Sequence, residues 1–209
     1  MARVPSLYLV TDRHQTRGRP LADVVHAALD GGVDGVQLRE KDLLGAELLR
    51  LATVLRELTA RYGVTFLVND RIDVALTAGA DGIHLPRDGF SIPTARELLA
   101  RRYLIAVSTH TPAEVAAAAA DGADFVVFGP VYATPSKAAF GPPRGTEDLV
   151  RASAACPIPV LAIGGVTAER VAAVRAAGAS GVAVVSAIMA ADDPARAARG
   201  LRDALRAGG

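Results

Sequence analysis

The sequence predicts one domain, residues 1–209, folded as a closed (β/α)8 barrel, a TIM barrel. Three observations predict it. A short pattern recurs along the chain, eight apolar runs alternate with eight helical patterns, and polar residues collect where the runs end. The recurring pattern is Gly31-Gly32-Val33-Asp34-Gly35-Val36, then Ala78-Gly79-Ala80-Asp81-Gly82-Ile83, Asp121-Gly122-Ala123-Asp124-Phe125-Val126 and Ala177-Gly178-Ala179-Ser180-Gly181-Val182. Each reads as a helix end capped by Gly, a tight turn and a buried strand. The copies stand roughly 40–55 residues apart, about two βα units.

The strands are expected at 7–12, 35–40, 65–70, 82–86, 104–110, 125–131, 159–165 and 181–188. They are short and apolar without polar alternation, as suits parallel strands covered on both faces. Helices are expected at 21–30, 46–61, 72–78, 92–101, 112–121, 146–155, 168–177 and 194–207. Thr111 before Pro112 and Thr167 before Ala168 stand as N-caps. An open doubly wound sheet would bring a nucleotide fingerprint, and no GxGxxG follows the first strand. The irregular stretch 132–145, rich in Pro, Gly and Ala, has the length of a lid or binding loop.

Composition narrows the function. The chain is 51% hydrophobic and 22% charged, with a net charge of +1. A nucleic-acid binder or a protein held to acidic membranes would carry a basic excess, so neither partner is expected and any anion site must be local. The one cysteine, Cys156, can form neither an internal disulfide nor a zinc site, which fits the cytoplasm. No signal-peptide pattern opens the chain, and its apolar stretches fall short of a membrane span.

In a barrel of this kind the chemistry lies at the C-terminal ends of the strands. There the sequence places Thr11 and Asp12, then Gln37, Arg39, Glu40 and Lys41, then Asn69 and Asp70, then His84. Ser108, Thr109 and His110 follow, then Thr134, Ser136 and Lys137, Gly164 and Gly165, and Ser186. Residues 37, 39 and 41 should share one face by alternation. An amide and two cations there suit a diphosphate and a heteroaromatic ring, with Arg offering a fork and Lys a point charge; a salt-bridge cluster with Glu40 or Asp70 is the other reading. Asp70 is a Mg2+ candidate, because Mg2+ takes carboxylate and phosphate oxygens; as an alternative it caps the next helix. The turn at Gly164 and Gly165, with Ser186, suits a phosphate, as do Thr134, Ser136 and Lys137. His110 is either a general acid or base or a loop-orienting group. His84 reads as packed, His14 and His26 as surface residues, and Cys156 as structural.

Taken in order, these motifs resemble the thiamine-phosphate synthase family over essentially the whole chain. The residues that carry the likeness are Leu7-Tyr8-Leu9-Val10-Thr11-Asp12, Gln37-Leu38-Arg39-Glu40-Lys41, Asn69-Asp70 and Ser108-Thr109-His110-Thr111. Gly129-Pro130-Val131, Thr134-Pro135-Ser136-Lys137, Ala162-Ile163-Gly164-Gly165 and Val185-Ser186 complete it. The resemblance implies a transferase that joins hydroxymethylpyrimidine diphosphate to a thiazole phosphate and releases pyrophosphate. It implies that Gln37, Arg39, Lys41, Asn69, Ser108 and Lys137 serve the pyrimidine diphosphate, and Glu40 is a further substrate-binding candidate. Thr134, Ser136, Gly165, Val185 and Ser186 would hold the thiazole phosphate and Asp70 the Mg2+; Gly164 is a further substrate-binding candidate and Asp88 a second metal candidate. Arg39, Lys41, Ser108, His110 and Lys137 are the catalytic candidates, the partners are small phosphorylated substrates, and a homo-oligomer is one expected state.

One segment departs from the family pattern. In His84-Leu85-Pro86-Arg87-Asp88-Gly89, Gly89 stands where the family has its second metal-binding Asp, and Asp88 comes one residue early. Phe90 and Ser91 resemble the sister family of thiazole tautomerases, which isomerise a thiazole carboxylate phosphate by proton transfer and for which His110 is the matching group. A tautomerase, or a non-catalytic barrel that binds a thiazole phosphate, is therefore the alternative expectation.

Overall fold

The computed structural model describes residues 3–134 and 142–207. Among them, β1 Leu7–Val10, β2 Gly35–Leu38, β3 Thr65–Asn69, β4 Gly82–Leu85, β5 Leu104–Thr109, β6 Phe125–Phe128, β7 Val160–Ile163 and β8 Gly181–Val184 pair in order. All pairs are parallel, and β8 closes on β1 through Leu7 opposite Val182. Around them lie α1 Leu21–Asp30, α2 Gly45–Tyr62, α3 Ile72–Thr77, α4 Ile92–Leu98, α5 Pro112–Ala120 and α6 Gly145–Ala154. The ring is completed by α7 Ala168–Ala176, α8 Ser186–Met189 and α9 Pro194–Ala207, and α9 packs on α1 and α7. A 3-10 turn, Arg13–Gln15, follows β1. No described helix is long and apolar enough to cross a membrane.

Both strand faces are covered, which explains the unbroken apolar runs. One apolar cluster comes from strands alone, with Tyr8, Leu67, Phe125, Val127 and Leu161 fully or nearly fully buried. It fills the barrel interior. The other joins the opposite strand faces, such as Leu9, Val36, Phe66 and Ile83, to the helices.

The recurring pattern has a physical role at the bottom of the barrel. Asp34, Asp81 and Asp124 each precede an even strand and bind the odd strand before it. The Asp34 amide donates to Leu7 O and its carboxylate accepts from Leu7 N at 2.7 Å. Asp81 makes the same double bond with Phe66, and Asp124 with Ile105. Each carboxylate also meets a guanidinium, from Arg202, Arg56 and Arg96 in turn, at 2.9, 2.7 and 2.8 Å. Ser180 takes the fourth place with the backbone half only, its amide donating to Val160 O. One glycine in each turn of the pattern adopts positive φ, as with Gly32 at 96° and Gly122 at 91°.

Three expectations change. The strands are shorter at their C-terminal ends, because the chain there leaves the ladder to form loops. Ser186–Met189 form a helical turn, α8, where the eighth strand was expected to continue to residue 188; period alone does not separate a short strand from a helical turn. Thr111 caps α5 by accepting from Glu114 N at 3.2 Å, but Thr167 makes no cap bond. Its hydroxyl instead bonds the Glu169 side chain, which holds that carboxyl below its ordinary range.

Candidate active site

The strand C-termini bring most of the expected residues to one mouth. β2 ends at Leu38, so alternation does not place residues 39–41. Gln37 is buried and donates from Nε2 to the Tyr8 hydroxyl at 3.3 Å. Arg39 is half-buried and Lys41 is exposed in a turn. Among the described residues neither lies in an ion pair with a carboxylate, so the expected alternative of a salt-bridge cluster is not formed. Both cations are open to an anion.

Glu40 is placed differently from a substrate contact. It is buried, accepts from the Thr11 hydroxyl at 2.8 Å, and accepts from Arg13 N with both oxygens at 3.1 Å. Its polar atoms hold the chain after β1. Thr11 in turn accepts from Arg39 N at 2.9 Å.

Inside the mouth His84 Nε2 lies 2.8 Å from Ser108 Oγ, and its ring stacks on Tyr8 with centroids 6.1 Å apart. Burial and the neighbouring Arg39 charge push the His84 imidazole down to about 3, so it is neutral. Its Nδ1 is buried with no hydrogen-bond partner among the described residues. Burial likewise keeps the Tyr8 phenol protonated, with its pKa raised. His84 is thus packed, as expected, but it also carries Ser108. The sequence signal for this was a single His in the otherwise apolar strand Gly82–Leu85.

Asp70 follows β3 with φ 63°, a left-handed conformation that a non-glycine residue adopts under constraint. Its amide donates to His84 O at 2.9 Å. The N-cap position of α3 belongs to Arg71, which makes no side-chain cap bond, so Asp70 is not a cap. No hydrogen bond or ion pair engages the Asp70 carboxylate among the described residues. A Cβ at Gly89 would stand 2.7 Å from Asp70 Oδ1, so the position where the family has an Asp borders this carboxylate. Asp88 is exposed in the same turn, and Asn69 is half-buried beside Asp70. No cluster of three or more His, Cys, Asp or Glu forms among the described residues. One or two carboxylates with substrate phosphates are the donor set Mg2+ commonly takes, and the unengaged Asp70 carboxylate is of that type.

His110 donates from Nδ1 to Gly129 O at 2.5 Å, since a carbonyl only accepts. Its amide donates to Glu114 Oε2. Gly164 and Gly165 have φ 97° and 62°, and a Cβ on Gly164 would stand 2.5 Å from Pro130 Cβ. Ser186 is exposed at the start of α8, directly after Val185. Thr134 is half-buried; Ser136 and Lys137 lie outside the described residues. Cys156 is at the opposite end of the barrel, before β7, with its thiol 3.5 Å from Ile158 O.

The comparisons agree with this layout. The sequence pattern of the family described as thiamine monophosphate synthase matches residues 7–188. A putative thiamine-phosphate synthase of Geobacter sulfurreducens is 54% identical over 202 residues, covering 96% of this chain and 95% of that protein. The thiamine-phosphate synthase of Methanoculleus marisnigri is 46% identical, covering 96% and 95%. The structure of thiamine phosphate pyrophosphorylase from Pyrococcus furiosus superposes with a TM-score of 0.89 at 34% identity, over 97% and 96% of the two chains. A 3-hexulose-6-phosphate synthase, with a TM-score of 0.68 at 22% identity, shares the fold. The chain belongs to the thiamine monophosphate synthase family.

Proposed function

We propose that the barrel mouth carries the synthase reaction of its family on hydroxymethylpyrimidine diphosphate and thiazole phosphate. The carbon–oxygen bond of the pyrimidine methyl group breaks, and pyrophosphate leaves with the electron pair. The thiazole nitrogen supplies its lone pair to the new carbon–nitrogen bond. Nothing need be deprotonated, so the site has to position two substrates and stabilise a departing anion. The observation that carries this reading is the pair Arg39 and Lys41, cations at the mouth without a carboxylate partner among the described residues.

In this reading Arg39 and Lys41 hold the diphosphate, with Lys137 from the 132–145 segment. Gln37 and Asn69 offer amides to the ring, and Ser108, fixed by His84, offers a hydroxyl. Thr134, Ser136, Gly164, Gly165, Val185 and Ser186 form the thiazole phosphate side. Bound Mg2+ would neutralise diphosphate charge, and Asp70, with Asp88, is the carboxylate set for it. Glu40 supports the site without touching substrate. A cytoplasmic location is the reading that a single thiol, Cys156, supports, and a homo-oligomer is a further expectation.

The test is product formation from the two substrates, with Mg2+ or with EDTA. Thiamine phosphate should appear only with Mg2+. Asp70→Ala should lower kcat/KM by at least about a hundredfold, the scale of losing one electrostatic stabiliser. His110→Ala should leave most activity, since no proton transfer is required. The reverse pattern, with His110 essential and Asp70 dispensable, would point to tautomerase chemistry.

A further inference from the structure

We propose that residues 11–20, between β1 and α1, form a strap that sets both substrate subsites, with Arg13 and Arg19 as positioning residues. The inference rests on the subsite reading above. Residues 39–42 lie beyond the β2 ladder, so their backbone is held by whatever else they bond. That support comes from the strap. The Arg13 guanidinium forks onto Asp42 at 2.5 and 2.7 Å and reaches Glu40 at 3.3 Å. Its amide donates to both Glu40 oxygens, and Thr11 accepts from Arg39 N. His14 Nε2 adds a contact to Asp42 at 3.0 Å. Lys41 therefore sits between two carboxylates gripped by one arginine.

An isolated exposed ion pair contributes little. This one is bidentate and continues into Glu40, whose side chain is 2% exposed, so it forms a network in which Arg13 is the shared donor. The guanidinium holds the Asp42 carboxyl well below its ordinary range.

The other end of the strap grips α8. Arg19 donates from Nη2 to Met189 O at 3.1 Å and to Ala191 O at 2.8 Å, and from Nη1 to Asp192 O at 3.2 Å. Its Nε is tied to Thr16 O at 2.8 Å, and Arg17 pairs with Asp192. A four-residue helix cannot sustain itself, and the carbonyls at its C-terminal end lack partners within the helix. Arg19 supplies partners there, with a charge of the favourable sign. Ser186 is the first residue of that helix. One ten-residue segment thus braces the diphosphate cations at one end and the phosphate-side helix at the other.

The test is steady-state kinetics with each substrate varied in turn. Arg13→Gln should raise KM for the pyrimidine diphosphate about tenfold or more, with KM for the thiazole phosphate nearly constant. Arg19→Gln should do the reverse. Asp42→Asn should repeat the Arg13→Gln effect, and the double variant should add little, as expected for one shared network. Lys41→Ala and Ser186→Ala serve as controls. If these two do not separate the substrates, the subsite reading is wrong. If they do, and the strap variants shift neither KM or both in parallel, the strap is only structural and the inference is overturned. Should Arg19→Gln not fold, Arg19→Lys, which keeps the charge but loses the fork, is judged by the same split.

Discussion

His84 shows how a barrel interior fixes the state of one side chain. Its ring is 3% exposed, stacked on Tyr8, bonded to Ser108 and close to the Arg39 charge. Burial first, and then the Arg39 charge, disfavour the imidazolium and lower the folded value to about 3 from an ordinary 6.5. The sign follows by linkage. Between these values the unfolded chain binds a proton that the folded chain refuses, so stability falls as pH falls from 6.5 towards 3, by about 1.4 kcal/mol per pH unit. Above 6.5 the contribution is constant. Urea denaturation in EDTA at pH 4.5 and 7.5 should therefore show a loss of about 2–3 kcal/mol from this residue at the lower pH. His84→Gln should be less stable at neutral pH but should lose that part of the slope. An identical pH dependence in wild type and variant would mean that His84 is charged or exposed.

At the scale of elements, the paired strands are held by a repeated clasp. An aspartate before each of β2, β4 and β6 returns a bond to the strand before it and meets an arginine, whereas Ser180 before β8 makes only the backbone half. These clasps lie at the N-terminal ends of the strands, the face of a barrel where retained residues serve stability. Asp81→Ala removes the acceptor for Phe66 N and the partner of Arg56 together. A buried amide left without a partner costs about 1–3 kcal/mol, so a loss near the middle of that range is expected in chemical denaturation. Asp81→Asn keeps an acceptor and should lose less. Because the clasp is remote from the mouth, KM for both substrates should hold in either variant. A KM change without a stability change would place Asp81 in a different role.

At the scale of the molecule, the alternation of elements and the gathering of polar residues at one mouth were legible because both depend on short-range pattern. Apolar runs gave the strands, glycine caps gave the turns, and the polar ends gathered as a parallel barrel requires. Bonds between distant segments were not legible. Glu40 looked like a ligand by position, yet its oxygens belong to Thr11 and Arg13, and α8 was hidden in an apolar run. Arg13 and Arg19 carried no sequence signal, since the partners they brace after β2 and at α8 lie 27–29 and 170–173 residues away. The same contrast between local and global decides how the protein should meet an anion. With a net charge of +1 the chain as a whole has little attraction for one, so binding must come from the cations at the mouth. Pyrophosphate with Mg2+, if taken up by the folded state alone, should add about 2.7 kcal/mol at about a hundredfold over its Kd. For a domain of this size that is a rise in Tm of about 5–10 °C. Added salt should shrink the rise, because exposed charges are screened. The double variant Arg39→Ala, Lys41→Ala should lose it, whereas Arg196→Ala and Arg199→Ala, exposed on α9, should keep it. A rise that all these variants lose alike would mean that pyrophosphate reads overall charge, and no rise in the wild type would leave the mouth without its diphosphate.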